Sequence, residues 1–211
     1  MEDTSHPPQG ATQQERLRDL IAESALLRAH ELRTKGIAPE TIARAVRSGQ
    51  LTRLSRGLYQ ATNAQIDENQ TLAEAAKRVP KGVIGFISAL AFHGLTDQMP
   101  RKVWMAIGPS DWSPAPSYPP MHIVRLSQKY FGQGIEQHKI AGVAVPIYAI
   151  TKTLADAFRN PKLIDRSVAI ESLRAALDQR KATPSAIAEA AREGGAWNIM
   201  QPYLEALTAN G

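Results

Sequence analysis

Six cations stand out in this 211-residue chain as the residues whose type and spacing could do chemistry. Arg33, Lys35, Arg44, Arg47, Arg53 and Arg56 lie between positions 33 and 57, where Glu40 is the only acid. That stretch carries a net charge of +5, which is also the net charge of the whole chain, so the remaining residues balance. Guanidinium and ammonium groups gathered on one short segment of a balanced protein form the electrostatic footprint of a phosphate-backbone binder. A pI near 9.6 agrees with an anionic partner, and the clustering points to nucleic acid rather than to a membrane surface.

Other chemistries find little support. The five histidines are His6, His30, His93, His122 and His138, and no H-x-x-x-H or H-E-x-x-H spacing occurs among them, so no recognisable zinc site is expected. Gly82 and Gly85 are not followed by Gly-Lys-Ser/Thr, and Gly132-Gln133-Gly134 is too short for a phosphate loop. Asp111, Asp156, Asp165 and Glu171 are too scattered to hold magnesium for nucleotidyl transfer. Cysteine is absent, which removes disulfides, thiolate ligands and a Cys nucleophile and fits a reducing cytoplasm. No run of about 18 apolar residues is present, and the first residues, MEDTSHPPQGATQQ, lack the apolar centre of a secretion signal. The expectation is a cytoplasmic protein without enzymatic activity, cofactor or metal.

The elements that must hold the six cations can be read from the same segment. Pro39 suits a first helical turn, because its missing N–H is one that such a turn leaves unpaired anyway. Helical spacing places Ile42 and Val46 inward, flanked by Ile37 and Leu51, and turns Glu40, Arg44, Arg47 and Ser48 outward with Thr41 at the edge. Gly49 stops this helix. Leu51–Leu54 and Leu58–Ala61 read as two strands around Ser55-Arg56-Gly57, a tight hairpin that brings Arg53, Arg56 and Tyr59 alongside. With amphipathic helices at Gln13–Glu23 and about Arg28–Lys35, the pattern is a winged helix-turn-helix over residues 13–61, in which the second helix of the motif enters a major groove and the wing follows a phosphate ridge. Residues 1–12 read as a flexible tail and Thr62–Asn69 as a linker.

A mixed α/β domain is expected over residues 70–208, making the whole chain α+β. Helices are predicted at Leu72–Arg78 and Gly85–His93. Strands follow at Val103–Ile107, at His122–Leu126, near Gly134–Ile140 and at Val143–Tyr148. Further helices start at Thr151, Asp165, Thr183 and Trp197. Between the first two strands, Gly108–Pro120 holds five of the fourteen prolines and reads as a stiff loop rather than a random linker. Its Trp112 and Tyr118 are candidate contacts for a partner, because aromatic residues on a rigid loop lose little entropy on binding. Trp104 reads as core. His93, at the end of an apolar helix, reads as a residue bonding the last carbonyls. Lys152 and Asp156, four apart, can pair on one helical turn.

Several segments resemble those of AbiEi-type antitoxins, from the type IV toxin–antitoxin (abortive infection, phage-defence) systems of bacteria. Leu51-Thr-Arg-Leu-Ser-Arg-Gly-Leu-Tyr59 is similar to that family's wing, G-x-L-x-R-x-x-R-G-x-Y. Ser88-Ala-Leu-Ala-Phe-His93-Gly-Leu-Thr-Asp-Gln-Met-Pro100 resembles its S-A-L-x-x-H-G-L-T-D-Q-x-P segment, and Thr153-Leu-Ala-Asp156 lies where it has R-T-L-x-D. Lys152 replaces the usual Arg there, which would weaken a bidentate fork.

The resemblance spans roughly residues 25–180. It implies a head that represses its own operon by binding inverted repeats in the promoter. It also implies a second domain that opposes a nucleotidyltransferase-like toxin, with His93, Lys152 and Asp156 joining Trp112 and Tyr118 as possible partner contacts. Two other readings stand beside it: a ligand-responsive winged-helix transcription factor and a diverged nuclease-like enzyme. Inverted repeats invite two copies of the chain. No heptad marks a dimer interface, so a monomer or weak dimer is expected.

Overall fold

The computed structural model describes residues 12–63, 67–116 and 118–209. The expected tail, residues 1–12, lies outside them except for Thr12. The fold is α+β, with a three-stranded and a five-stranded sheet among the described residues.

The head opens with α1 (Gln13–Glu23), which a reciprocal cap starts. The Thr12 hydroxyl accepts from the Glu15 N–H at 3.2 Å, and the Glu15 carboxylate accepts from the Thr12 N–H at 2.7 Å. β1 (Leu26–Arg28), α2 (Ala29–Thr34), α3 (Pro39–Arg47), β2 (Leu51–Ser55) and β3 (Leu58–Ala61) complete it. The strands form an antiparallel sheet in the order β1-β3-β2. Leu17, Leu27, Leu32, Ile37, Ile42, Ala45 and Leu51 make the core. β1 was not expected, since three residues wedged between helices are too few for an alternation to register. On α3 it is Ala45 rather than Val46 that is fully buried beside Ile42.

The second region runs α4 (Gln70–Arg78), β4 (Val83–Ile84), α5 (Phe86–Phe92), β5 (Val103–Ile107), β6 (Met121–Arg125), α6 (Gln128–Phe131), β7 (Ile135–Ile140) and β8 (Val143–Tyr148). Four helices close it: α7 (Ile150–Arg159), α8 (Arg166–Asp178), α9 (Pro184–Glu193) and α10 (Trp197–Thr208). The sheet order is β6-β5-β4-β8-β7, with β5–β6 and β4–β8 parallel and the other neighbours antiparallel. Phe86, Leu90, Leu154, Phe158, Leu173, Ile187 and Met200 bury one face under the helices. Leu72 and Ala76 of α4 cover the other, over Met105, Ile107, Val145 and Ile147. The two-residue β4 and one-turn α6 are too short for a sequence period to mark.

Asp165 and Thr183 cap their helices as expected, accepting from Ser167 N at 2.9 Å and Ala186 N at 3.2 Å. Thr151 does not cap α7. The cap position is Ala149, because the chain leaves β8 at Tyr148 and turns at once into the helix.

Head and second region share apolar contacts. Leu26 belongs to the cluster under α4, and Leu54 of the wing packs against it. Polar ties run along the same seam. Lys77 of α4 pairs with Glu31 of α2 at 2.6 Å, and Gln60 of β3 donates to Gln70, which in turn donates to Glu74. At the β7–β8 turn Gly142 has φ +77°, and a Cβ there would lie 2.8 Å from the Glu23 carbonyl oxygen and the Ser24 Cα, so only glycine allows this approach. The expected linker, Thr62–Asn69, includes residues 64–66 outside the described set. Just beyond them, the Asp67 carboxylate accepts from the Ala141 N–H at 3.2 Å.

Candidate nucleic-acid interface

The turn between α2 and α3 is set from α1. The Gln13 amide oxygen accepts from the Ala38 N–H at 3.0 Å and from the Thr41 hydroxyl at 2.8 Å. It thereby satisfies a donor at the start of α3, where no side chain of the helix caps it. Thr41, placed at the edge of the DNA face by sequence, uses its hydroxyl in this tie. Ile42 and Ala45 anchor the inner face, and Glu40, Ala43, Arg44, Arg47 and Ser48 are exposed on the outer one. Arg44 and Arg47 occupy the last turn, where the helix dipole favours cations. The Ser48 hydroxyl donates to Ala45 O at 3.2 Å and keeps its acceptor capacity outward. Gly49, at φ +72°, turns the chain directly into β2.

In the wing the register shifts between Arg53 and Ser55, so that Ser55 pairs with Leu58 and the turn narrows to Arg56-Gly57. Gly57 sits at φ +74° and its carbonyl accepts from the Ala29 N–H at 2.9 Å, binding the wing tip to the start of α2. Arg56 projects from this tip. Arg53 is exposed too, with Nε donating to Ser55 O at 3.3 Å. Among the described residues none of Arg44, Arg47, Arg53 and Arg56 forms an ion pair with a protein carboxylate. All four guanidinium groups therefore remain available to phosphates. Tyr59 is half-buried against the head core and offers only part of its ring.

The two family-like segments of the second region meet at one carbonyl. The Tyr148 oxygen accepts from His93 Nε2 at 2.8 Å and from the Thr153 hydroxyl at 3.1 Å. His93 ends α5, but its ring bonds the end of β8 rather than the last carbonyls of its own helix. Ser88 accepts from the Trp104 N–H at 2.9 Å, which ties the same helix to β5. One turn below, Lys152 Nζ reaches both Asp156 oxygens at 2.7 and 2.8 Å, and Arg159 adds a contact at 3.0 Å. Two cations thus share one carboxylate. Burial pushes the Asp156 carboxyl up and the Lys152 ammonium down, and each charge opposes the other's shift. The Asp156 side chain is 0% exposed and that of Lys152 4%. Neither can meet a partner at the surface, so their expected place among the contacts gives way to a structural one. His93 is half-buried and turned inward.

The sequence of the head decides its kinship. Residues 15–62 match a family profile described as transcriptional regulator, AbiEi antitoxin. Over those residues the head is similar to AbiEi antitoxin regulators. No curated protein matches the sequence. Among solved structures, the crystal structure of the RV2827C protein from Mycobacterium tuberculosis has 14% identity and a TM-score of 0.55, over 94% of this chain and 81% of that one. At that identity the likeness establishes the shared fold alone. No helix among the described residues is long and apolar enough to cross a membrane, and no group of three or more metal-ligating side chains gathers among them.

Beyond the head, the proline-rich loop is stapled at both ends. Arg78 donates to the Tyr118 and Ala115 carbonyls, and Arg125 to those of Gly108, Pro109 and Asp111 at 2.8–2.9 Å. Trp112 and Tyr118 are 70% and 52% exposed, so of the five proposed partner contacts these two present aromatic surface. Sequence reading overlooked Ala43, an exposed methyl between Glu40 and Arg47 of the kind that contacts thymine. It also overlooked Gln13, whose pairing lies too far away in sequence to be anticipated.

Proposed function

We propose that this chain is a DNA-binding antitoxin and autorepressor. Its head binds inverted repeats in its own promoter, and its second region opposes a nucleotidyltransferase-like toxin. The observation that carries the reading is the set of four exposed arginines without a carboxylate partner among the described residues, two on α3 and two on the adjoining wing, on a head matching the AbiEi antitoxin profile. Arg44, Arg47 and Ser48 read base edges. Arg53 and Arg56, with the exposed edge of Tyr59, hold backbone phosphates and set the register. Trp112 and Tyr118 form the surface offered to a protein partner.

The test is a titration of the chain on its own promoter DNA against a scrambled duplex at two salt concentrations. Wild type should prefer the promoter. Arg44→Ala/Arg47→Ala should lose that preference, at about 1–3 kcal/mol for each bidentate base contact removed. Equal, weak binding of wild type to both duplexes would reduce the arginines to a solvated face. For the second region, growth rescue from a co-expressed toxin should fall with Trp112→Ala/Tyr118→Ala while promoter binding stays intact.

A further inference from the structure

A cleft of about 380 Å³ opens where the helical layer stops short of the β5–β6 edge, on the face of the sheet that also carries Ala106 and Val124. Its floor is aromatic. Trp104 on β5 and His122 on β6 are paired in register, and their rings stack with centroids 3.9 Å apart and planes 26° from parallel. Trp104 is thus no ordinary core residue: one part packs toward Phe86, another lies open in the cleft beside the imidazole. Apolar side chains of α5 and α8, Ile87 and Val168, form the wall. The rim carries Arg101 and Lys102, both exposed and neither with an ion-pair or side-chain hydrogen-bond partner among the described residues. It also carries the Asp165 carboxylate, which accepts from the Ser167 N–H and hydroxyl at the start of α8.

We infer that this cleft binds a nucleoside monophosphate or a chemically equivalent terminal nucleotide. A flat heteroaromatic ring extends the Trp104–His122 stack from an outer ring face, since the two inner faces already meet each other, every base offers a π-face and such stacking tolerates sequence. Its phosphate meets Arg101 and Lys102 at the mouth, where charge-assisted hydrogen bonds are strongest. The Gln98 side-chain amide, also at the rim, is free to bond a base edge or a ribose hydroxyl. The volume is that of a small-ligand site and suits one nucleotide, not a dinucleotide. The site lies outside the head, and the inference stands independently of promoter recognition. It gives the second region a ligand of its own.

Calorimetric titration of the full chain tests it with adenosine and guanosine 5′-monophosphates, adenosine, inorganic phosphate and a short single-stranded oligonucleotide. The monophosphates should bind with sub-millimolar affinity, and adenosine or phosphate alone more weakly by about tenfold or more. Arg101→Ala/Lys102→Ala, which removes only exposed groups, should lower monophosphate affinity by about tenfold or more. His122→Ala should weaken binding of adenosine as well. Arg44→Ala/Arg47→Ala should bind the monophosphates as wild type does, which separates this site from the head. Tighter binding of the oligonucleotide that is lost with the same rim variant would identify a strand end as the source and uphold the site. No heat with any probe at millimolar concentration would overturn the inference. So would binding indifferent to both the rim and His122 variants, or binding lost with the head variant instead.

Discussion

The head and helix α7 use charge in opposite ways. On the head, Arg44, Arg47, Arg53 and Arg56 are exposed and lack carboxylate partners among the described residues. On α7, Lys152, Asp156 and Arg159 are drawn into a knot against Tyr148 and Tyr130, where Arg159 lies 3.7 Å from the centroid of the Tyr130 ring and Lys152 5.0 Å from that of Tyr148. The first set contributes little to folding and leaves its interaction energy for a ligand. The second is largely withdrawn from water, and both cations close on the Asp156 carboxylate, though Arg159 Nε is buried without a hydrogen-bond partner among the described residues. Residue type does not distinguish them; burial does.

The largest effect should come from breaking the knot. Asp156→Ala strands two cations, one of them fully inside, and should destabilise the chain by about 3–5 kcal/mol in chemical denaturation. Replacing all three charges with apolar residues of similar volume, as in Lys152→Met/Asp156→Leu/Arg159→Met, should recover most of that loss, because an uncompensated charge costs more than an absent pair. A loss below about 1 kcal/mol for Asp156→Ala would place the trio with ordinary surface ion pairs and erase the contrast with the head.

The wing supplies the opposite experiment. Arg53→Ala and Arg56→Ala should leave stability within about 0.5 kcal/mol, as expected for exposed side chains away from special features. Each should weaken binding to promoter and scrambled DNA alike, and lower the slope of log K against log salt by about one. Arg44→Ala should change the ratio between the two duplexes instead. If wing and helix variants behaved alike, the division between phosphate-holding and base-reading arginines would fail.

The sequence announced these two regions unequally. The head was legible because its signals are local: Pro39 opens a helix, Gly49 and Gly57 sit at turns that require positive φ, and the cations crowd into one segment. The ends of β5, β8 and α10 were legible for the same reason, being bounded by prolines, glycines and clear apolar runs. The knot was half-legible. The i,i+4 spacing of Lys152 and Asp156 announced a pair, but no local pattern says that α7 is buried almost all round, since that depends on α5, α8, α9 and α10 closing over it. The convergence of His93 and Thr153 on the Tyr148 carbonyl was hidden for the same reason: the partners are 55 and 5 residues from the acceptor on three different elements. Trp104 was placed in the core because a tryptophan on an apolar strand usually belongs there. Its stacking on His122 appears only once β5 and β6 are in register.

His93 lies between the two extremes, half-buried and able to change charge, and it gives the smallest and sharpest test of the comparison. Burial holds its pKa below the ordinary imidazole value of 6.5. The Tyr148 carbonyl and Glu136 pull it up, and His138 and Lys181 push it down, Lys181 through an ammonium that also donates to the His93 carbonyl. The neutral ring therefore persists to lower pH in the folded chain than in the unfolded one. Below about pH 6.5 the unfolded chain binds more protons, so stability should decline as pH falls through that value and level off once the folded ring is itself protonated. His93→Gln keeps a donor facing the Tyr148 carbonyl and removes the titration. Its denaturation midpoint should vary less with pH than that of wild type between about pH 7 and 5. An unchanged pH slope in the variant would mean that the ring is hydrated enough to titrate as it does in the unfolded chain. The junction at Tyr148 would then belong energetically with the exposed charges of the head, not with the dry trio one turn below it.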